Sequence, residues 1–281
     1  MSSTGETDRV QREADDRQEA DGRNIEPALS VRGLTKRYGE TVALSDVGLA
    51  VGSGEFVTVV GPSGCGKSTL LRVLSGLEPR FEGHAAVDGR DVRNGGSDDV
   101  GMVFQEPRLL PWADVRENVA VGLSDGVGSP DGVGSPDGGD EEPGPRERVD
   151  DLIDTVGLDG FETSRPGALS GGMAQRVSLA RGLAYDPAVL LLDEPFSALD
   201  QLTKYEQQDH LLGVHAERET TVVLVTHDVE EAAYLSDRVV VLGGQPGTVE
   251  ATIDVDVDRP RDRTDGDLVA VRAAITDALG V

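Results

Sequence analysis

One stretch constrains this chain more than any other: Gly61-Pro62-Ser63-Gly64-Cys65-Gly66-Lys67-Ser68-Thr69 fits G-x-x-x-x-G-K-[ST], the phosphate-binding loop. Its flanks fit the mechanism. Phe56-Val57-Thr58-Val59-Val60 reads as a buried strand, and Leu70, Leu71, Val73 and Leu74 have the spacing of an apolar helix face. Strand, glycine loop and helix start together make an anion site. Glycines let backbone N–H groups curl around phosphates, and the helix dipole adds partial positive charge. Lys67 is placed to reach the β- and γ-phosphates, and the Ser68 hydroxyl is a hard oxygen ligand suited to Mg²⁺. An ordinary glycine-rich turn can carry similar residues; the strand–loop–helix context argues for a nucleoside triphosphate. It does not say what the energy is used for.

The rest of the chain supplies a frame for that loop. Order is expected to begin near Leu29, and Val42 to Val51 alternates as a half-buried strand does. Val87-Asp88-Gly89 reads as a hairpin turn. Val100 to Phe104 is a short apolar strand ending at Gln105. Pro107 and Pro111 then break regular structure before a helix near Asp114. Helices are expected over Arg146 to Val156, stopped by Gly157, and from the Leu169-Ser170-Gly171-Gly172 run through Ala184. Val189 to Leu192, Thr221 to Thr226 and Val239 to Leu242 are apolar strands. Strands alternating with helices predict an α/β domain with a largely parallel sheet.

Two segments stand apart. Residues 1–27 are polar and acidic, which predicts a disordered tail. Within 124–145 the run Asp-Gly-Val-Gly-Ser-Pro repeats once, with acidic residues and no basic one until Arg146, which predicts a flexible, solvated spacer.

Charge is the compositional outlier: 52 acidic against 26 basic residues give a net of −26 over 281 residues. Lys36, Lys67 and Lys204 are the only lysines. A solvated acidic surface is one reading. Adaptation to a high-salt cytoplasm, where carboxylates hold water and self-repulsion is screened, is the other, and the scarcity of lysine favours it. Either reading disfavours nucleic acid as a partner, since that needs a basic face. Cys65 is the only cysteine, so no intrachain disulfide can form; it is read as a small filler of the loop, with a redox role as the alternative. No apolar run approaches the roughly 18 residues of a membrane span, and the start of the chain has no apolar signal region. The expectation is a soluble, intracellular protein.

Gln105, Asp193, Glu194 and His227 all lie just past the ends of apolar strands, the edge where ligands bind in an open α/β sheet. Singly, Asp193 could be a helix cap and His227 a packed core residue. Together, and in this order, they resemble the ATP-binding cassette (ABC) ATPases. The matching residues are Tyr38, the loop 61–69, Gln105, Leu169-Ser-Gly-Gly-Met-Ala-Gln-Arg176, Leu190-Leu-Leu-Asp-Glu-Pro195, Ser197-Ala-Leu-Asp200 and His227. They span roughly residues 29–260. The Ser-Gly-Gly signature separates this family from other phosphate-loop NTPases.

The resemblance implies a phosphate-loop NTPase core with a mostly parallel central sheet, an antiparallel β subdomain and a helical subdomain. It implies an ABC ATPase domain over 28–260, with the helical subdomain about 106–185 and the flexible acidic insert inside it, followed by a linker and short helix over 261–281. It implies ATP and Mg²⁺ as cofactors. Tyr38 would stack under adenine, where strand packing is its plainer role. Gly61, Pro62, Ser63, Gly64, Cys65, Gly66, Lys67, Ser68 and Thr69 would bind the phosphates. Ser68, Gln105 and Asp193 would hold the metal, Asp193 through water. Glu194 would be the general base, His227 would contact the γ-phosphate and orient that base, and Gln105 and Lys67 would complete the catalytic set. Ser170, Gly171, Gly172 and Gln175 would meet the ATP of the opposite subunit, with Asp200 at the dimer seam.

The chain is most similar to ATPase subunits of nitrate/sulfonate/taurine-type importers, through Phe104-Gln-Glu-Pro-Arg-Leu-Leu-Pro-Trp112, Val115-Arg-Glu-Asn-Val119 and Pro246-Gly247. It departs from their pattern at Ala174, Gln245 and Thr248. The implied partners are an integral membrane permease, a second copy of the chain and, indirectly, an extracytoplasmic solute-binding protein, at the cytoplasmic face of the membrane. An exporter subunit, or an importer subunit for another solute, is the alternative. A cassette ATPase acting on DNA or ribosomes would need tandem cassettes, a coiled-coil insertion or basic surfaces. A sensor that has lost hydrolysis is argued against by Glu194 and His227.

Overall fold

A computed structural model describes residues 27–95, 99–123 and 144–280; the acidic tail and nearly all of the acidic insert lie outside the described residues. Two sheets form the frame. Strands β1 (Leu29–Tyr38), β2 (Thr41–Val51), β4 (Glu82–Val87) and β5 (Arg90–Asp91) make an antiparallel sheet in the order β2-β1-β4-β5. The second sheet has six strands in the order β10-β9-β3-β8-β7-β6. Of these, β3 (Phe56–Val60), β6 (Val100–Val103), β7 (Val189–Asp193), β8 (Thr221–Thr226) and β9 (Arg238–Gly243) run parallel, while β10 (Thr248–Asp254) closes one edge antiparallel.

The parallel strands are apolar over most of their length, as suits strands covered on both faces. Their alternation divides the interior in two. Phe56, Val60, Leu190, Leu192, Val222, Leu224, Val239 and Val241 face one core. Val57, Val59, Leu191, Val223, Val225, Val240 and Leu242 face the other. The first core is closed by helices α2 (Val115–Ala120), α3 (Pro145–Thr155), α4 (Gly171–Leu183), α5 (Gln201–Arg218), α6 (Val229–Leu235) and α7 (Gly266–Leu279). The second is closed by α1 (Lys67–Leu74) and the antiparallel sheet. Each fully buried Leu or Val side chain contributes about 1.5–3 kcal/mol of transfer free energy.

Local signals explain the element ends. Asp88 and Gly89 both have positive φ, 50° and 74°, as the tight turn between β4 and β5 requires. The start of α2 is a reciprocal capping box between Asp114 and Glu117. Gly157, at φ 63°, ends α3. Strand β10 carried no clear signal, because an edge strand with charged Glu250 and Asp254 outward has too little apolar alternation to stand out. The C-terminal segment is tied to the body. Leu268 and Ile275 of α7 are buried in the larger core, and the buried Arg261 donates to the carbonyls of Ala233, Tyr234 and Ser236. No helix among the described residues is long and apolar enough to cross a membrane.

Candidate functional site

The glycine loop runs from the end of β3 into α1, and its shape is fixed by close approach of backbone to backbone. A Cβ at Gly61 would lie 2.1 Å from the Leu242 carbonyl oxygen, and one at Gly247 would lie 1.9 Å from that of Cys65. Gly66 has φ 107° and faces Leu44 of β2. The turn at Pro246-Gly247 is itself stitched to β2, with Gly247 N donating to Ala43 O at 3.0 Å and Ser45 N to Gly247 O at 2.9 Å. The loop is thus walled by three strand ends, and Cys65 fills the space beneath it. Burial pushes the Cys65 thiol up, against the pull of Lys67, so the thiolate needed for redox chemistry is disfavoured.

Lys67 Nζ folds back on the loop, donating to Gly61 O at 2.8 Å and Pro62 O at 3.2 Å. Ser68 Oγ donates to Asp193 Oδ1 at 3.1 Å, across 125 positions of chain. Burial raises the Asp193 carboxyl, the Ser68 hydrogen bond lowers it and neighbouring Glu194 raises it again; the net shift is upward. Two hard oxygens therefore meet at the head of α1. They line, with Gln105 and Glu106, a cleft of about 280 Å³. This donor set fits Mg²⁺, which takes few protein oxygens and fills its shell with phosphate and water. Among the described residues no cluster of three or more His, Cys, Asp or Glu offers an all-protein cage.

One residue beyond Asp193 the chain kinks. Glu194 has φ 45°, uncommon for a side-chain-bearing residue, and its N–H donates to Val225 O of β8 at 2.9 Å. The kink brings its carboxylate Oε2 to 3.0 Å from Nδ1 of His227, which sits past the end of β8. Gln105 joins through an intermediary. Its Nε2 donates to Ser197 Oγ at 3.0 Å, and Ser197 Oγ donates to Glu194 O at 2.9 Å. Ser197 was legible only as part of the Ser-Ala-Leu-Asp run; nothing in the sequence announced it as the bridge.

Tyr38 ends β1 with its ring partly exposed and Lys36 Nζ 4.9 Å from the ring centroid. Lys36 lies opposite Leu44 in the β1–β2 register, so this end of β1 stands beside the loop. The signature lies elsewhere. Ser170 caps α4 by accepting from Met173 N, and Ser170 and Gly171 are exposed. Gln175 points inward and donates to Phe104 O at 3.4 Å. Asp200 caps α5, accepting from Thr203 N. No hydrogen bond among the described residues joins Ser170–Gly172 to the loop 61–69 of the same chain. The arrangement therefore gathers the N–H groups of a glycine loop, a lysine, two hard oxygens and a carboxylate–imidazole pair on one sheet edge. That set can bind a nucleoside triphosphate and deprotonate water beside it.

Comparison with known proteins agrees with this chemistry. A family model described as ABC transporter matches residues 44–197. The chain is 48% identical over 252 residues to the aliphatic sulfonates import ATP-binding protein SsuB 2 of Burkholderia cenocepacia (strain HI2424), covering 90% of this chain and 87% of that protein. It is 44% identical over 241 residues to SsuB of Bacillus licheniformis, covering 84% and 88%. Among solved structures, the dimeric ATP-binding cassette MJ0796 bound to ADP and Pi superposes with a TM-score of 0.66 at 32% identity, covering 82% of this chain and all of that one. The cbiO1 protein of Clostridium perfringens, part of an ABC transporter complex, gives 0.70 at 26% identity, covering 82% and 89%.

Proposed function

The chain belongs to the ABC transporter family, and from that premise we propose that it is the ATP-hydrolysing subunit that powers import of a small anionic solute through an integral membrane permease. The observation that carries the reading is the pairing of Ser68 with Asp193 and of Glu194 with His227 at adjacent strand ends. In this reading the loop 61–69 binds the triphosphate, Lys67 leaves its loop carbonyls for the β- and γ-phosphates, and Tyr38 supports the adenine. Ser68, Asp193 and Gln105 would hold Mg²⁺, which supplies charge neutralisation at the phosphates when bound. Glu194 takes the proton of the attacking water, a role worth about 10²–10⁴ in rate. His227 meets the Glu194 carboxylate through Nδ1, orienting it, and contacts the γ-phosphate. Gln105 reports on the site through Ser197.

Two copies would associate about a two-fold axis, each offering Ser170, Gly171 and Gly172, supported by Gln175, to the other's ATP, with Asp200 at the seam. The exposed Ser170 and Gly171 at the start of α4, with the helix dipole behind them, suit a γ-phosphate from outside the chain. The assembly would sit on the cytoplasmic face of the membrane and serve an extracytoplasmic solute-binding protein through the permease. The helical subdomain (about 106–185, with the insert inside it) would grip the permease. An aliphatic sulfonate is the solute the named relatives favour. The acid excess with few lysines supports work in a salt-rich cytoplasm.

Deleting the gene in its host should abolish uptake of a radiolabelled short alkanesulfonate. A plasmid copy should restore it, and a Glu194→Gln copy should not. Uptake that survives the deletion overturns the solute assignment. Wild-type ATP turnover by purified Glu194→Gln overturns the assignment of the base.

A further inference from the structure

All three lysines stand in enclosed places. Lys36 is 2% exposed and bonds Glu78 Oε2 and Arg80 O at 2.7 and 2.8 Å. Lys67 is 6% exposed in the phosphate loop. The third, Lys204, with its side chain 13% exposed, has no part in the chemistry described so far. It lies in the first turn of α5, and its own N–H donates to Asp200 O at 2.8 Å. Its Nζ is ion-paired with Asp228 and, at 3.4 Å, with Glu231, whose side chain is 2% exposed.

Asp228 follows His227 directly. Its Oδ1 accepts from the N–H groups of Glu230 and Glu231 at 2.9 and 3.2 Å, capping α6, while Oδ2 takes Lys204. Burial works against ionisation of Asp228, yet the Lys204 hydrogen bond and the cap N–H groups prevail and hold its carboxyl below the usual range. Tyr205 OH adds a second tie between the same helices, donating to Glu230 Oε1 at 2.8 Å. The His227 side chain is 58% exposed, and among the described residues its ring has one hydrogen-bond partner, Glu194. Where that ring stands is therefore set largely by the backbone it shares with Asp228.

We propose that Lys204 is a positioning residue for ATP hydrolysis, clamping Asp228 to the first turn of α5 so that the placement of His227 against Glu194 follows the position of Asp200. The inference rests on the reading of Glu194 and His227 as the hydrolytic pair. It adds a mechanical link within one chain: a shift of the α5 start, where the seam with a second copy is proposed, reaches the imidazole chiefly through the Lys204–Asp228 pair.

The test is a double-mutant cycle on the full-length protein. Lys204→Met should lower kcat about 10²-fold, the scale of a 1 Å misplacement, with KM for ATP changed less than about threefold. Lys204→Arg, which keeps the charge, should recover most of the rate. In a His227→Ala background Lys204→Met should cost nothing further, because the group it positions is gone. Asp228→Asn breaks the same pair while its amide oxygen still caps α6, so it tests the same link should Lys204→Met fail to fold. A wild-type kcat in either variant, or an equal loss with and without His227, overturns the proposal. If Glu194→Gln and His227→Ala themselves turn over ATP normally, the underlying reading fails instead; if they are slow while Lys204→Met is not, only the role of Lys204 falls.

Discussion

The two halves of the nucleotide edge are held by different means. The phosphate loop is walled chiefly by backbone: Gly61 against the Leu242 carbonyl, Gly247 against that of Cys65, and Gly66 against that of Ala43, with the Leu44 side chain beside it. The half proposed to carry hydrolysis is held by side chains from separate elements: Glu194 to His227, Gln105 to Ser197, Lys204 to Asp228 and Glu231. Backbone approach leaves little room for a side chain, so it holds the loop in one narrow shape. Side-chain bonds are worth about 0.5–1.5 kcal/mol each in net terms, or about 1.5–3 kcal/mol where a partner is charged, and can be exchanged for others. The first half is suited to binding. The second is suited to a site that must rearrange in each cycle.

This contrast can be broken most sharply at Gly247. An added Cβ would lie 1.9 Å from the Cys65 carbonyl, which is backbone and cannot swing aside. Gly247→Ala should displace the loop and weaken ATP binding by an order of magnitude or more, about 1.4 kcal/mol for each factor of ten. Isothermal titration with a non-hydrolysable ATP analogue reads this directly, and an unchanged Kd would show that the wall yields. Gly213, within α5, has nothing near its Cβ position, and Gly213→Ala should instead raise stability by up to about 1 kcal/mol through helix propensity. A loss of binding at one glycine and a gain of stability at the other separate steric need from mere composition.

Salt should act on assembly more than on either half. Each copy carries a net charge of −26, so bringing two together is opposed by repulsion that reaches roughly 10 Å at about 0.1 M salt and only about 3 Å at 1 M. ATPase activity should therefore rise severalfold from about 0.1 M into the molar range of KCl, with a sucrose control for general stabilisation. Dimer formation by Glu194→Gln with ATP, followed by sedimentation, should rise in parallel. Activity and dimer both peaking at low salt would reduce the acid excess to a solvated surface.

The smallest effect sharpens the side-chain half. Burial, opposed by Lys204 and reinforced by Asp228, raises the Glu231 carboxyl to about 7 from its ordinary 4.5. A carboxyl raised in the folded state keeps a proton that the unfolded chain has lost. Stability contributed by this group is therefore full below the unfolded value, falls as pH climbs through the window from about 4.5 to 7, and stays lower above it. Glu231→Gln should flatten the fall of Tm in that window and melt a few °C higher at alkaline pH, at about 2–4 °C per kcal/mol for a domain of this size. Superimposable profiles for the two proteins would mean that Glu231 is not the titrating group.

What the sequence determined by itself is what contiguous residues decide. Phe56 to Val60, the glycine loop and α1 form one uninterrupted run whose geometry follows from φ preferences, an apolar strand and a helix start, so the anion site was legible without a structure. The apolar runs at Val189, Thr221 and Val239 declared buried parallel strands for the same reason, and with them the edge that carries Asp193, Glu194 and His227. Tertiary structure alone decided which groups meet there. Ser68 finds Asp193 across 125 positions, Gln105 finds Ser197 across 92, and Lys204 finds Asp228 from the first turn of another helix. The Pro246-Gly247 turn walls a loop that lies far from it in the chain, and α7 docks on a core whose strands precede it. Local pattern encodes backbone conformation because that is set by neighbours in sequence. Partners between side chains are set by how strands are ordered in the sheet and how helices pack on it, and one chain's pattern of apolar residues leaves that order unstated.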